Sequence, residues 1–597
     1  MSRAALKTAT ATAAVQLHGP TLRSLPDAFG DSANSAVFEE VQALKATTAK
    51  LAKMVKLLKK ASAAVKRQEW SVAAKTAMQA LEIDENDLSA THIVAIALEK
   101  AGELPLALTM YERALNVAPN NPEVLHNLGL LAWRMENLPL ARSFLARAAA
   151  EEPNRADILN NFACTLRDLG QHDDAVEVLR SRLIEAPGET MLWNALGTVV
   201  LEQGLFDEAI AFYLEAARLE PTFARALHNV GHALVEVGRL EEAVEWLDKA
   251  SALHKQRADA LETQHARALA YLAMGDLMRG WEGYKARLEP AFAKQTVFAC
   301  GTAKRWDGSD LTSKDIMLMG EQGLGDEVLF MTAVPDLLKA IGPKGKLHIA
   351  TEERLIPLVS RTFPSVHVCA HKTVKIHNGV ARLPMALASD LENVEFLIPM
   401  GEAASHLRPT IERFPTTKGY LKPDAARVAH WKDWLAQNAK GTAVGITWKS
   451  LVMSASRAKH YSPFDLWADT LLTPRVSFIN LQYGDCAAEL IEARERFGVE
   501  ILQPTGIDLK QDLDDLAALS AALDLVIGPM NATTNIAASV GADVWIVSSA
   551  KRAWPMLGTG ALPWYPSARV FGGEHFGDWL PVMANVQEAL AARASGK

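Results

Sequence analysis

Along the first half of the chain, apolar residues recur at the three- and four-residue spacing of helices, and that pattern itself repeats. Pro119, Pro153, Pro187 and Pro221 are each 34 residues apart, as are Ala107, Ala141, Ala175, Ala209 and Ala243. The same register aligns Leu128, Phe162, Leu196 and Val230, each followed by a small residue: Gly129, Ala163, Gly197 and Gly231. It also aligns Ala114, Ala148, Ala216 and Ala250, with Arg182 interrupting that column. Small residues at fixed positions let two antiparallel helices approach closely, and each proline ends a second helix before the next pair begins. The pattern predicts a helical array over roughly residues 61–255.

From Asp315 the texture changes to short apolar runs separated by helical stretches. DIMLM (315–319), KLHIA (346–350), VHVCA (366–370) and EFLIPM (395–400) read as buried strands. After a linker with Pro409, Pro415 and Pro423, a second set follows: AVGITW (443–448), VSFINLQ (476–482), DLVIG (524–528) and DVWIVSS (543–549). Two consecutive parallel α/β units are expected, with the ligand crevice at the carboxyl ends of the strands. The fold class is therefore α followed by α/β. The expected division is a flexible segment 1–44, a repeat superhelix with capping helices 45–290, a first Rossmann-like unit 291–420 and a second 421–597 that includes a C-terminal helix.

Bulk composition changes this picture little. Of 597 residues 22% are charged, with a formal charge of −8, so no global field argues for nucleic acid. The four cysteines, Cys164, Cys300, Cys369 and Cys486, lack CxxC spacing, which predicts neither a disulfide framework nor a zinc ribbon and fits a reducing cytoplasm. No uninterrupted apolar run is long enough to span a membrane, and the first residues make a poor secretory signal. The lysine-rich stretch from Lys45 to Trp70 reads as a solvated lead-in helix of the array, with a membrane-surface helix as the alternative and no long apolar heptad.

The 34-residue pattern resembles the tetratricopeptide repeat, whose superhelix presents a concave wall to extended peptides. Asn127, Asn161 and Asn229 share one repeat position, and Ala195 breaks the series. In the repeats of the nucleocytoplasmic O-linked N-acetylglucosamine transferase a similar asparagine ladder clamps a peptide main chain, because an amide both donates and accepts. That resemblance makes these three residues candidate acceptor-peptide contacts. An ordinary helical surface position is the alternative.

The stretch LMGEQGLGDEVLFM (318–331) runs from a strand through three glycines into an acidic pair. Asp326 follows Gly325 where a P-loop needs lysine, and the spacing is GxxGxG rather than GxGxxG. What remains is a turn that presents a carboxylate at a helix N-terminus. Asp326 there caps the helix, accepts a proton from an attacking hydroxyl, or does both.

GEQGLGDEVLF resembles the opening of repeat-linked members of the heptosyltransferase-like family, as do GD, GW, Tyr284 and Arg287 at the end of the repeats. The resemblance implies a metal-independent glycosyltransferase of the GT-B type with Asp326 as catalytic base and Gly323 and Gly325 in the nucleotide-sugar site. In TWKSLVMSASRAKHYS it singles out Trp448, Lys449, Ser450 and Arg457, whose cations and hydroxyl suit a leaving phosphate. In NLQYGD it singles out Gln482. GPMNATTNIAASVG supplies Asn531, Thr533, Thr534 and Asn535 after a strand and at the start of a helix, where backbone amides favour an anion. Here Met530-Asn531 and Asn535 depart from the family's Asp-Thr and histidine. The triplet Asp512-Leu513-Asp514 could be read as a metal-binding DxD but is more simply a set of helix-capping acids. WYPSARVFGGEHFGDWL is expected to pack across the cleft.

As a whole the resemblance is to repeat-linked flagellin O-glycosyltransferases. It implies transfer of a sugar, such as pseudaminic acid or another nonulosonic acid carried on CMP, to serine or threonine of flagellin held by the repeats. No cofactor beyond the nucleotide sugar is implied. The competing readings are a repeat scaffold with an inactive transferase-like domain, and a lipopolysaccharide heptosyltransferase-like enzyme.

Overall fold

The computed structural model describes residues 31–293, 295–376, 379–451 and 453–596, in two units, one ending at Glu152 and the other beginning at Pro153. Residues 1–30 of the segment expected to be flexible lie outside the described residues, and 31–44 are helical.

Among the described residues the first unit is six helices: α1 (Asp31–Lys66), α2 (Trp70–Leu81), α3 (Leu88–Lys100), α4 (Leu104–Val117), α5 (Pro122–Arg134) and α6 (Leu138–Glu151). Ala107, Ala114, Tyr111 and Leu128 form its core, and the buried Tyr111 hydroxyl donates to Glu99 Oε2 at 2.8 Å. A Cβ on Gly129 would lie 2.5 Å from Leu145 Cγ, so the helix pair α5–α6 closes only because that position has no side chain.

The second unit opens with an array of its own, α7 (Ala156–Asp168), α8 (His172–Glu185), α9 (Thr190–Glu202), α10 (Phe206–Leu219), α11 (Ala224–Glu236) and α12 (Leu240–Ser251). Gly197 and Gly231 repeat the close approach, against the Tyr213 ring and Leu247. Each aligned proline stands two residues beyond the end of α4, α6, α8 or α10, where its missing N–H and fixed φ stop the helix. A divergent pair, α13 (Arg257–Met274) and α14 (Leu277–Tyr284), ends the array. Its Leu272, Trp281 and Tyr284 share one apolar core with Ile316, Phe330, Ile398 and Trp564 of the α/β region. Trp281 Nε1 donates to the Arg408 carbonyl at 3.0 Å.

Two sheets follow. The first contains β1 (Gln295–Phe298), β2 (Lys304–Arg305), β3 (Asp315–Met319), β4 (Lys346–Thr351), β5 (His367–Ile376), β6 (Gly379–Pro384) and β7 (Phe396–Pro399), in the order β1-β6-β5-β4-β3-β7-β2. The second contains β8 (Thr442–Ile446), β9 (Val476–Asn480), β10 (Leu525–Gly528), β11 (Val544–Ser548) and β12 (Ala568–Gly572), in the order β12-β11-β10-β8-β9, all parallel. The helices that bear on the site are α15 (Leu324–Phe330), α16 (Ala425–Asn438), α17 (Leu513–Ala522), α18 (Ala532–Ser539) and α19 (Trp579–Ala594). All eight strands read from apolar runs are present.

Two expectations need correction. The first sheet is mixed, because β5 and β6 pair antiparallel; the two residues between them are too few for a crossover. The stretch WYPSARVFGGEHFGDWL does not simply cross the cleft, since its middle adds β12 as a parallel edge strand and its end begins α19. Arg569, which makes that strand look polar, lays its guanidinium over the rings of Trp545 and Phe571.

Connectivity fixes where ligands go. β3 lies between β4 and β7, and β8 lies between β9 and β10, so successive connections leave each of these strands in opposite directions. Loops diverge at such switch points and leave a crevice at the carboxyl ends. Residues 320–323, 447–451 and 453–461 are the segments concerned.

Candidate functional site

Every residue of the turn after β3 is held. A Cβ on Gly320 would fall 2.6 Å from the Glu327 carboxyl carbon, so glycine makes room for a buried acid. Glu321 turns inward, takes a two-pronged ion pair from Arg287 (2.8 and 3.1 Å) and accepts the Gly401 N–H. Arg287 in turn lies over the Tyr284 ring, 3.9 Å from its centroid. Gln322 adopts a left-handed φ of +60° and donates to the Tyr284 hydroxyl at 2.6 Å. Arg382 donates to the carbonyls of Gly320 and Gln322, at 2.8 and 2.6 Å. Glu327 accepts from Thr351 Oγ1, the Glu352 N–H and His371 Nε2, at 2.7 to 2.9 Å. The turn is thus over-determined by the end of the repeats on one side and by β4 to β6 on the other.

Asp326 is what this frame presents. It occupies the third position of α15, and its Oδ2 accepts the Gly323 N–H at 3.1 Å, so it does cap the helix, from inside rather than at the N-cap, which is Gly323. Burial raises the Asp326 carboxyl above the ordinary aspartate range; the Gly323 N–H pulls the other way, and nearby Glu321 and Glu327 add to the rise. A carboxylate reluctant to stay ionised is a better proton acceptor than one at the surface.

Opposite stands the N-terminus of α18. Asn531 caps it, accepting the Thr534 N–H at 3.1 Å, while Thr534 Oγ1 accepts the Asn531 N–H at 3.0 Å and donates to the Pro529 carbonyl. Asn535 Nδ2 donates to the Gly325 carbonyl at 3.0 Å, and a Cβ on Gly325 would come within 3.1 Å of that nitrogen. Gly325 is therefore a point of close approach between α15 and α18, which both open into one cleft of about 390 Å³.

Gly325, Asp326, Ser450, Arg457, Asn531, Thr533 and Asn535 all line that cleft. The exposed Arg457 makes no ion pair or side-chain hydrogen bond among the described residues. The short helical turn that carries it, Ala455–Ala458, lies against Gly204 at the tip of α9, and His460 faces Glu236 of α11 at 3.4 Å. Arg552 pairs with Glu241 of α12 at 2.8 Å, so the loops of the second sheet rest on the repeats.

The other sequence candidates brace the site instead of lining it. Gln482 is buried; its Oε1 accepts from Thr447 Oγ1 and from the Trp448 and Lys449 N–H groups, and its Nε2 donates to the Lys449 and Tyr483 carbonyls. It ties the β8 and β9 loops together. Lys449 pairs with Glu489, Trp448 lies in the core of the second sheet, Thr534 is spent on capping α18, and Gly323 caps α15. Asp512 caps α17, and Asp514 pairs with Arg361.

Arg354, Lys510, Tyr461 and Tyr483 line the cleft and were not singled out by sequence. Arg354 is fixed by Glu352 at 2.9 Å and donates to the Lys510 carbonyl at 2.6 Å. The signal available for Arg354 was its place just past the end of a central strand.

In the repeats, the asparagines are engaged within the array, two of them with the equivalent helix of the repeat before. Asn127 Nδ2 bonds His92 Nε2 at 2.7 Å, and Asn229 Nδ2 donates to Asn194 Oδ1 at 2.8 Å. Asn161 Oδ1 accepts from Asn160 at 3.1 Å. Each is half-buried. The polar column at His92, Asn194 and His228, which bonds Thr263, was legible as a second 34-residue series.

Residues 95–156, 160–222 and 200–264 match tetratricopeptide-repeat families, so the helical array is of that kind. The chain is 47% identical over 332 residues to Protein FlbA of Caulobacter vibrioides, an alignment covering 56% of this chain and 55% of that protein; it thus spans about half the length of this curated relative. Among solved structures, a tetratricopeptide repeat protein from Parabacteroides merdae is 15% identical, with 39% of this chain and 91% of that one covered, at a TM-score of 0.34. PilF of Pseudomonas aeruginosa is 18% identical over 36% and 98% of the two chains, with a TM-score of 0.31. YrrB, described as a repeat protein with an unusual peptide-binding site, is 23% identical over 32% and 99% of the two chains, with a TM-score of 0.25.

Proposed function

We propose that this protein is an O-glycosyltransferase that moves a sugar from a nucleotide-activated donor to a serine or threonine hydroxyl of a protein held by its repeats. The observation that carries the reading is the single cleft lined by a half-buried acid, Asp326, by a helix N-terminus and by the cation Arg457, which makes no ion pair among the described residues. The acceptor oxygen forms a bond to the anomeric carbon and passes its proton to Asp326. The bond from that carbon to the donor phosphate breaks, and the electron pair leaves with the phosphate. Arg457, Ser450 and the free N–H groups at the start of α18 suit the charge that develops there.

Flagellin as acceptor, and a CMP-linked nonulosonic acid such as pseudaminic acid as donor, are the most specific form of this proposal. They rest on the motif resemblance in 318–331 and on the relation to Protein FlbA. The cytoplasm is the compartment that accords with the free cysteines; no helix among the described residues is long and apolar enough to cross a membrane. Incubating the purified chain with flagellin and CMP-sugar, then weighing the acceptor, tests the reading. An acceptor of unchanged mass with every nucleotide sugar offered contradicts it and favours the scaffold reading, in which the repeats bind and the α/β region is inert.

A further inference from the structure

The first helix of the array extends well beyond the helices it packs on. Met54, Ala61 and Ala64 of α1 are buried among α2 and α3, but N-terminal to Met54 the helix has no apolar cover among the described residues. Val41, Leu44, Leu51 and Val55 are 42%, 68%, 53% and 47% exposed. These four, with Thr48 between them, are spaced 3, 4, 3 and 4 residues apart, which is the a and d seam of a coiled coil. Val55 is open while its neighbour Met54 is buried, and Leu58, one heptad beyond Leu51, packs against the repeat core, so the seam borders the face that the repeats cover and is open N-terminal to Leu58.

We propose that this seam pairs with the same helix of a second copy of the chain in a parallel two-stranded coiled coil. Three features select that occupant. β-Branched residues stand at a (Val41, Thr48, Val55) and leucine at d (Leu44, Leu51), the combination that favours two parallel strands. Glu40 falls at g and Lys45 at the following e, so a parallel in-register pair sets Glu40 of each copy against Lys45 of the other. Neither residue has an ion-pair partner within the described chain. The remaining lysines of this stretch, Lys50, Lys53 and Lys56, take outer positions that a dimer leaves in water.

Light scattering of the full chain on a sizing column tests the proposal. Twice the chain mass is expected at micromolar concentration, falling to one chain mass for Leu51→Glu with an unchanged helical circular dichroism signal. Glu40→Lys weakens the dimer and Glu40→Lys with Lys45→Glu restores it. Leu44→Cys and Leu51→Cys cross-link between copies on oxidation, whereas Lys53→Cys does not. A monomeric native chain, a dimer indifferent to Leu51→Glu, or preferential cross-linking through Lys53→Cys overturns it. So does a monomer that binds vesicles of anionic phospholipid through the same leucines, which would make the stripe a membrane-surface face.

Discussion

Asn535 donates its side-chain amide to the carbonyl of Gly325 at 3.0 Å, joining the first turn of α18 to the first turn of α15. One of these helices carries the acid and the other offers free amides, so this bond sets the distance between the two halves of the proposed chemistry. Replacing Gly325 with alanine puts a methyl within 3.1 Å of Asn535 Nδ2 and 3.4 Å of the Ala532 nitrogen. The expected result is a fall of about 10- to 100-fold in kcat/KM, since small misplacements of reacting groups cost rate. Thermal melting should change far less. Steady-state kinetics beside calorimetry separates the two effects.

Asp326→Asn keeps an acceptor for the Gly323 N–H but cannot take a proton. Transfer should drop by about 10²- to 10⁴-fold, the usual worth of a general base. Because the folded state holds the Asp326 proton more tightly than the unfolded chain, ionising it costs stability as pH rises from 3.8 through the raised folded value. The asparagine variant lacks that cost, so at neutral pH it should melt no lower than the native chain. The acid limb of the native pH–rate profile should lie above 3.8, because the carboxylate must be ionised to act.

The Arg287–Glu321 pair is buried on both sides. Removing one charge leaves the other uncompensated, so Arg287→Met or Glu321→Gln alone should destabilise the second unit by about 3–5 kcal/mol. Arg287→Met combined with Glu321→Met should recover much of the melting temperature without recovering activity, as Gly401 and the turn lose their anchor. Differential scanning calorimetry with the activity assay reads both.

His228 and His265 are held neutral by burial, with pKa values lowered to about 3 and about 4; for His228 the neighbouring His232, Arg225 and His254 add to this, and for His265, Arg287 and His232. The unfolded rings take protons near 6.5, so the stability present above that pH is lost as pH falls from 6.5 towards 3 to 4. Circular dichroism melts between pH 7 and 4 should show the decline. His228→Gln should flatten it.

Asn127, Asn161 and Asn229 bond within the array but each amide has further capacity. Replacing all three with alanine should weaken binding of an extended acceptor by about 100-fold if each main-chain hydrogen bond is worth about 1 kcal/mol. Isothermal titration with the acceptor measures this independently of chemistry.

What the chain revealed in advance follows from how each element is buried. Parallel strands covered on both faces read as unbroken apolar runs, so DIMLM and DLVIG were plain. β6 and β12 lie towards the sheet edges and carry Arg382 and Arg569, whose side chains turn to carbonyls and aromatic rings, so their sequences look like loop. The place of Asp326 at the opening of a helix was legible from the glycine turn before it, whereas its proposed role as base came from the resemblance of GEQGLGDEVLF to the heptosyltransferase-like family. Gln482 and Lys449 were misplaced because a polar residue just past a strand reads alike whether it faces the cleft or braces it. Arg354 and Lys510 converge on the cleft only through topology, from segments more than 150 residues apart.

The most direct measurement is intact-mass spectrometry of purified flagellin after incubation with CMP-nonulosonic acid and either the native chain or Asp326→Asn. A mass increase of one sugar residue per modified site with the native chain, reduced at least a hundredfold in initial rate with the variant, is the predicted result. Equal rates with both chains would contradict Asp326 as the base, and no increase with either would contradict sugar transfer itself.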